Sequence, residues 1–179
     1  MTYAPNVTSV IFQPSCPSNA HQHTFDDLFK FLMATEPLYS TAPNMRNQLS
    51  AAAEVLRQEI KEIVARSEPK SSAAHKKHEA VFTESVHGDK SYEGTLLEDK
   101  MFRLLNEMGL AGWGWSLAFL SQARPIINKF SRMHIVTLSE GSTIRPGGDL
   151  VEGFSQFVDD TPILSSSSIV IFIVPIEVK

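Results

Sequence analysis

Cysteine is nearly absent from this chain: Cys16 is the only one among 179 residues. A lone thiol excludes an internal disulfide framework. It sits in a Pro-Ser-Cys-Pro-Ser turn, away from any apolar run, and reads as an incidental loop thiol. An excess of positive charge is missing too. Sixteen Lys and Arg stand against twenty Asp and Glu, for a formal net charge of −4 and a pI near 5.8. That balance lacks the electrostatic footprint of a nucleic-acid binder, and no nucleic-acid partner is expected. Long apolar runs are also lacking. The uncharged, largely apolar stretch from Met108 to Ala123 falls short of the roughly 20 residues that a membrane-spanning helix needs, and it carries Gly, Ser and Gln. The N-terminus, Met-Thr-Tyr-Ala-Pro-Asn, has neither the basic nor the apolar region of a secretory signal. The expected location is cytoplasmic, or outside the cell by a non-signal route.

Catalytic signatures are equally scarce. His21 and His23 form His-x-His, and His75 and His78 form His-x-x-His. Two ligands at such spacings can begin a metal site, but both pairs lie in polar loops with no third ligand signalled. Solvated loop histidines are the reading. Gly112-Trp113-Gly114-Trp115-Ser116 carries turn glycines, yet it follows a helical pattern and no Lys comes after it. It therefore lacks the strand-to-helix context of a phosphate cradle. Ser116 stands outside a Gly-x-Ser-x-Gly elbow, so a hydrolase gains no support. Asp159-Asp160 and Glu98-Asp99 are adjacent acidic pairs, and such pairs are usually solvated. No metal and no cofactor is called for. An enzyme reading would need a site assembled only by tertiary structure.

What is present is a globular composition, 42% apolar and 20% charged, at the size of one domain spanning residues 1–179. Val7 to Gln13 is short and β-branched and reads as a strand. Thr24 can cap a short helix with Phe25, Leu28, Phe29 and Leu32 at helical spacing, closed by Pro37. Asn44 to Arg66 predicts an amphipathic helix with Met45, Leu49, Ala52, Leu56, Ile60 and Ile63 on one stripe. A polar loop follows, and His78 to His87 alternates as a strand. Thr95 to Met108 predicts a third helix, with Leu97, Met101, Leu104, Leu105 and Met108 on one face. Trp113 to Phe130 is apolar almost all round in its first half and predicts a buried helix, kinked at Pro125. His134 to Leu138 reads as a strand, and Leu150 to Val158 stays open between strand and helix. Ile169 to Val174 suits a strand buried on both faces, with Pro175 implying a bulge or an edge position after it. The order predicts an α+β domain in which a central, mainly antiparallel sheet is flanked by two helical hairpins.

Trp113, Trp115, Leu117, Phe119 and Leu120 crowd into one glycine-containing stretch, and Ile171, Phe172 and Ile173 mark the C-terminal strand. Core packing accounts for such residues. The functional alternative is a concealed membrane-active pair of elements, because tryptophan favours the lipid–water interface and glycines permit rearrangement.

The element order, from Val7–Gln13 through the two helix pairs to the strands ending at Lys179, resembles the fold of the bacterial Cyt cytolysins and the mushroom cytolysin volvatoxin. The resemblance implies a toxin-like, pore-forming protein, soluble until it meets a lipid membrane, with homo-oligomerisation at that membrane. Separately, Trp113-Gly114-x-x-x-Ala118-Phe119 looks like the signature that opens the central helix of the Bcl-type apoptosis regulators. Trp115 stands where that signature has arginine, and the chain beyond Met133 reads as strands, so the cytolysin resemblance ranks first. A protein-interaction or assembly domain is the alternative from another class. Its surface would be the amphipathic second helix or an edge of the C-terminal strand.

Overall fold

The computed structural model describes residues 45–70 and 80–176. Along the chain come β1 (Arg46–Gln48), α1 (Ala51–Ala65), β2 (Glu68–Pro69), β3 (Val81–Glu84), β4 (Lys90–Glu93), α2 (Thr95–Glu107), β5 (Trp113–Leu120) and β6 (Arg124–Pro125). β7 (Met133–Thr137), β8 (Thr143–Arg145), β9 (Gly148–Asp149), β10 (Phe154–Val158), β11 (Ile163–Leu164) and β12 (Ser168–Pro175) follow. Eight strands form one sheet in the order β1-β10-β7-β12-β5-β4-β3-β2, and four form a second, β6-β11-β8-β9. Pairing is antiparallel throughout except between β2 and β3.

The large sheet is the middle of three layers. Its central strand, β12, alternates. Ile171 and Ile173 join α1 and α2 residues in one apolar cluster, while Val170 and Phe172 join Ile144, Leu150 and Leu164 of the small-sheet layer in another. β5 divides the same way, with Trp115 and Leu117 toward the helices and Ala118 and Leu120 toward the small sheet.

These observations overturn the expected architecture. Two helices, not two helical hairpins, are present among the described residues, and twelve strands dominate. The layer opposite the helices is a second sheet. The main error falls on Trp113–Leu120, expected as a buried helix and found as the inner strand β5. A strand covered on both faces has apolar residues at every position. It therefore loses the period-two alternation that tells strand from helix. The open segment Leu150–Val158 contains β10, and Ile169–Val174 is a strand as expected. Pro175 stands at the last position of β12, paired with Trp113 of β5, while the pairing with β7 stops at Ile173; the strand is central, and its last residues are paired on one side only.

α1 is shorter than its stripe predicts. Ser50 caps it, its hydroxyl accepting from the Ala53 N–H at 3.1 Å, and the residues before it extend into β1 instead. Met45 is exposed, not part of the helical stripe. α2 matches its expected span almost residue for residue. The strand expected at Val7–Gln13, the helix after Thr24, Cys16 and the histidines at 21, 23, 75 and 78 lie outside the described residues.

Candidate interaction surface

β5 and β12 pair along their whole length, from Ser168 opposite Leu120 to Pro175 opposite Trp113. All eight residues singled out by the tryptophan segment and the C-terminal strand therefore sit side by side. Trp115, Leu117, Ile171 and Ile173 are buried beneath the helices, and Leu120 and Phe172 beneath the small sheet. Trp113 and Phe119 are half-buried at the margin of the helix-side core.

Trp113 opens onto a small aromatic group. Its ring lies 5.5 Å from that of His134, which lies 5.1 Å from Phe157, both edge to face. The Arg132 guanidinium stands 5.6 Å from the Trp113 ring, within cation–π range. His134 Nδ1 is buried without a hydrogen-bond partner. Burial, with a smaller contribution from the Arg132 charge, holds the imidazole below its usual pKa of 6.5, so it is neutral at neutral pH. Met45, 58% exposed, accepts the Phe157 N–H through its carbonyl at 2.8 Å, and Ile176 continues β12 past this end. Asp160, two residues beyond β10, has its carboxyl pKa raised by burial and by the neighbouring Asp159 charge.

The outer surface of the helical layer carries the other exposed apolar residues of interest. α1 buries Ala53, Leu56, Ile60, Ile63 and Val64 against the sheet, yet Val55 points outward at 56% exposure. On α2, Phe102 is 63% exposed. Between the helices runs an open groove of about 360 Å³ lined by Ala52, Val55, Leu56, Glu59, Arg103, Asn106 and Glu107. Lys100 closes one end by an ion pair with Glu59 at 2.8 Å. Arg103 and Glu107 on its rim form no ion pair among the described residues. The groove thus joins an apolar floor to a rim with one unspent charge of each sign.

The remaining polar clusters are committed to holding the fold. Arg57, 2% exposed, donates to both carboxylate oxygens of Glu54 at 2.7 Å, to Glu152 at 3.3 Å and to the Thr137 carbonyl at 3.4 Å. It ties α1 to the end of β7. The Arg57 hydrogen bond, opposed in part by burial, lowers the Glu54 pKa. Asp89 pairs with Arg124 and accepts from the Ser121 hydroxyl at 2.8 Å and the Ser121 N–H at 2.9 Å. The Ser121 hydroxyl is also within 2.6 Å of the His87 carbonyl, so its proton is engaged by acceptors that hold the turn together. Among the described residues no three His, Cys, Asp or Glu side chains converge as metal ligands. No described helix is long and apolar enough to cross a membrane.

The sequence stripe of α1 pointed inward and hid Val55, whose signal was an apolar residue standing alone on a charged face. No protein-family model, no curated protein and no solved structure matches this chain.

Proposed function

We propose that this chain is a protein-interaction domain that binds through the outer face of α1 and α2. One observation carries the reading: Val55 stands exposed beside an apolar-floored groove between α1 and α2, and Phe102 is exposed on the same helical layer. Folding gains little from an exposed valine, whereas an apolar groove with a charged rim suits an amphipathic helix laid along it. The direct test is affinity capture from source-cell extract with the full chain and its Val55→Glu and Ala52→Arg variants. The expected outcome is a bound protein retained by the parent and lost with both variants. Equal capture by all three proteins refutes the groove as the binding face.

A second reading, contact with a lipid membrane, is favoured by the apolar end of the sheet, where Met45, Trp113 and Ile176 are at least partly exposed. A half-buried tryptophan beside Arg132 suits an interfacial anchor. Deeper insertion would have to uncover β5 and β12 from two layers. Anionic vesicles should blue-shift tryptophan emission in the parent and not in Trp113→Ala, and an unchanged parent spectrum removes this reading.

A further inference from the structure

We propose that the groove between α1 and α2 receives the same face of a second copy of this chain, in a two-fold symmetric dimer. The inference rests on the reading of the helical layer as a docking surface and names its partner. A two-fold contact sets a surface against itself, so the patch must carry both halves of every pair it makes. Arg103 and Glu107 meet that condition. They sit one turn apart on α2, at i and i+4, where side chains are spaced by roughly 6 Å. Both are exposed on the groove rim, and neither forms an ion pair among the described residues. A two-fold axis passing between them brings Arg103 of each copy against the partner's Glu107 and makes that pair twice. A partner with an excess of one sign gains nothing here, because the two rim charges cancel.

Apolar groups supply the centre of the contact. Val55 lines the groove and is 56% exposed. Phe102, 63% exposed, stands one turn before the groove residue Asn106 on the other helix. Burying these side chains of both copies against each other takes apolar surface out of water. The face is small. The 15 residues of α1 and the 13 of α2 extend about 22 and 20 Å, and two helices side by side are about 20 Å wide. That leaves about 400 Å² per copy, well under the roughly 800 Å² of a standard interface. The dimer is therefore weak, with a dissociation constant on the order of 100 μM. The surface fills or opens with the concentration of the chain itself.

Sedimentation equilibrium of the full chain, from about 10 μM to about 1 mM, is the test. The expected result is a rise from the 19.9 kDa monomer toward twice that mass and no further. Val55→Glu, at an exposed site, should remove the rise. Arg103→Glu and Glu107→Arg should each weaken the dimer about ten-fold or more, since both reciprocal pairs become repulsions. Mixing those two variants should restore dimers, because each then meets the opposite charge at both positions. A misfolded variant cannot produce that recovery. A parent that stays monomeric at about 1 mM overturns the inference. So does a dimer indifferent to Val55→Glu, a mixture that stays monomeric, or growth beyond the dimer. If the parent is monomeric while Val55→Glu still loses a captured protein, the second copy is wrong and the docking surface stands. If capture is also insensitive to Val55→Glu, the surface itself is wrong.

Discussion

The central strands of the eight-stranded sheet, β5 and β12, are buried on both faces, each face by different means. Over one face, two helices present single apolar stripes to the sheet and leave an outer surface of charge broken by Val55 and Phe102. Over the other, four very short strands and their loops fold back, tied down by Asp89–Arg124 and by hydroxyl contacts such as Ser165–Ser168 at 3.0 Å. A helix has a back as well as a front, and its back is a regular, pre-formed surface on which a few apolar residues can be spared for binding. The opposite layer is made of two- and three-residue strands and has no such regular back. Stability is thus shared between both faces, while the binding surface proposed above lies on one.

The strongest way to break this comparison is to hollow either core. Phe172→Ala, on the small-sheet side, and Leu104→Ala, on the helix side, both remove fully buried side chains. Each should cost about 3–5 kcal/mol by denaturant unfolding. A cost below about 1 kcal/mol on one side would show that side to be a loose cover rather than a core.

Arg57→Ala should come next, at about 2–3 kcal/mol, because it leaves Glu54 and Glu152 without their buried partner and the Thr137 carbonyl without a donor. The same unfolding measurement checks it. Arg57→Met tests whether the aliphatic stem alone holds α1 to β7, and it should recover only part of the loss.

pH sharpens the comparison further. The folded pKa of His134 lies below its usual 6.5. Its stability contribution is present above that value and is lost as pH falls toward the folded pKa. Denaturant midpoints should therefore drop from pH 7.5 to pH 5, with a smaller drop in His134→Phe. Equal drops in both proteins would remove His134 as the cause. Losses tied to Glu54 and Asp89, whose folded pKa values are also lowered, belong to still more acidic solution.

The smallest effect on folding should come from Val55→Glu, within about 0.5 kcal/mol, since the site is exposed. Its large effect is expected on binding alone, and a loss above about 2 kcal/mol would reassign Val55 to the core.

Much of the helical layer was legible in the sequence. The stripe of α2 names its buried Leu97, Met101, Leu104 and Leu105. That of α1 names Leu56, Ile60 and Ile63 but misplaces Met45 and Ala52, which are exposed, and passes over Ala53, Arg57 and Val64, because one covered face leaves a 3.6-residue period whose edges are blurred. Ile169–Val174 was legible as a doubly buried strand from its β-branched run. Trp113–Leu120 is likewise buried between two layers but has no β-branched residue, and Gly114 breaks its pattern, so its strand character emerged only in pairing with β12. The small sheet was illegible because strands such as Ile163–Leu164 are too short to show any period. The groove was illegible for another reason. It joins Val55 to Arg103 across two helices, and no local pattern records how two helices lie together.

The most direct measurement places a photoreactive side chain at Val55 and, in a matched protein, at Ile163 on the small-sheet layer, both exposed. The account predicts cross-links from Val55 to a partner protein and none from Ile163. Silence at Val55, or equal yields from both positions, would contradict it.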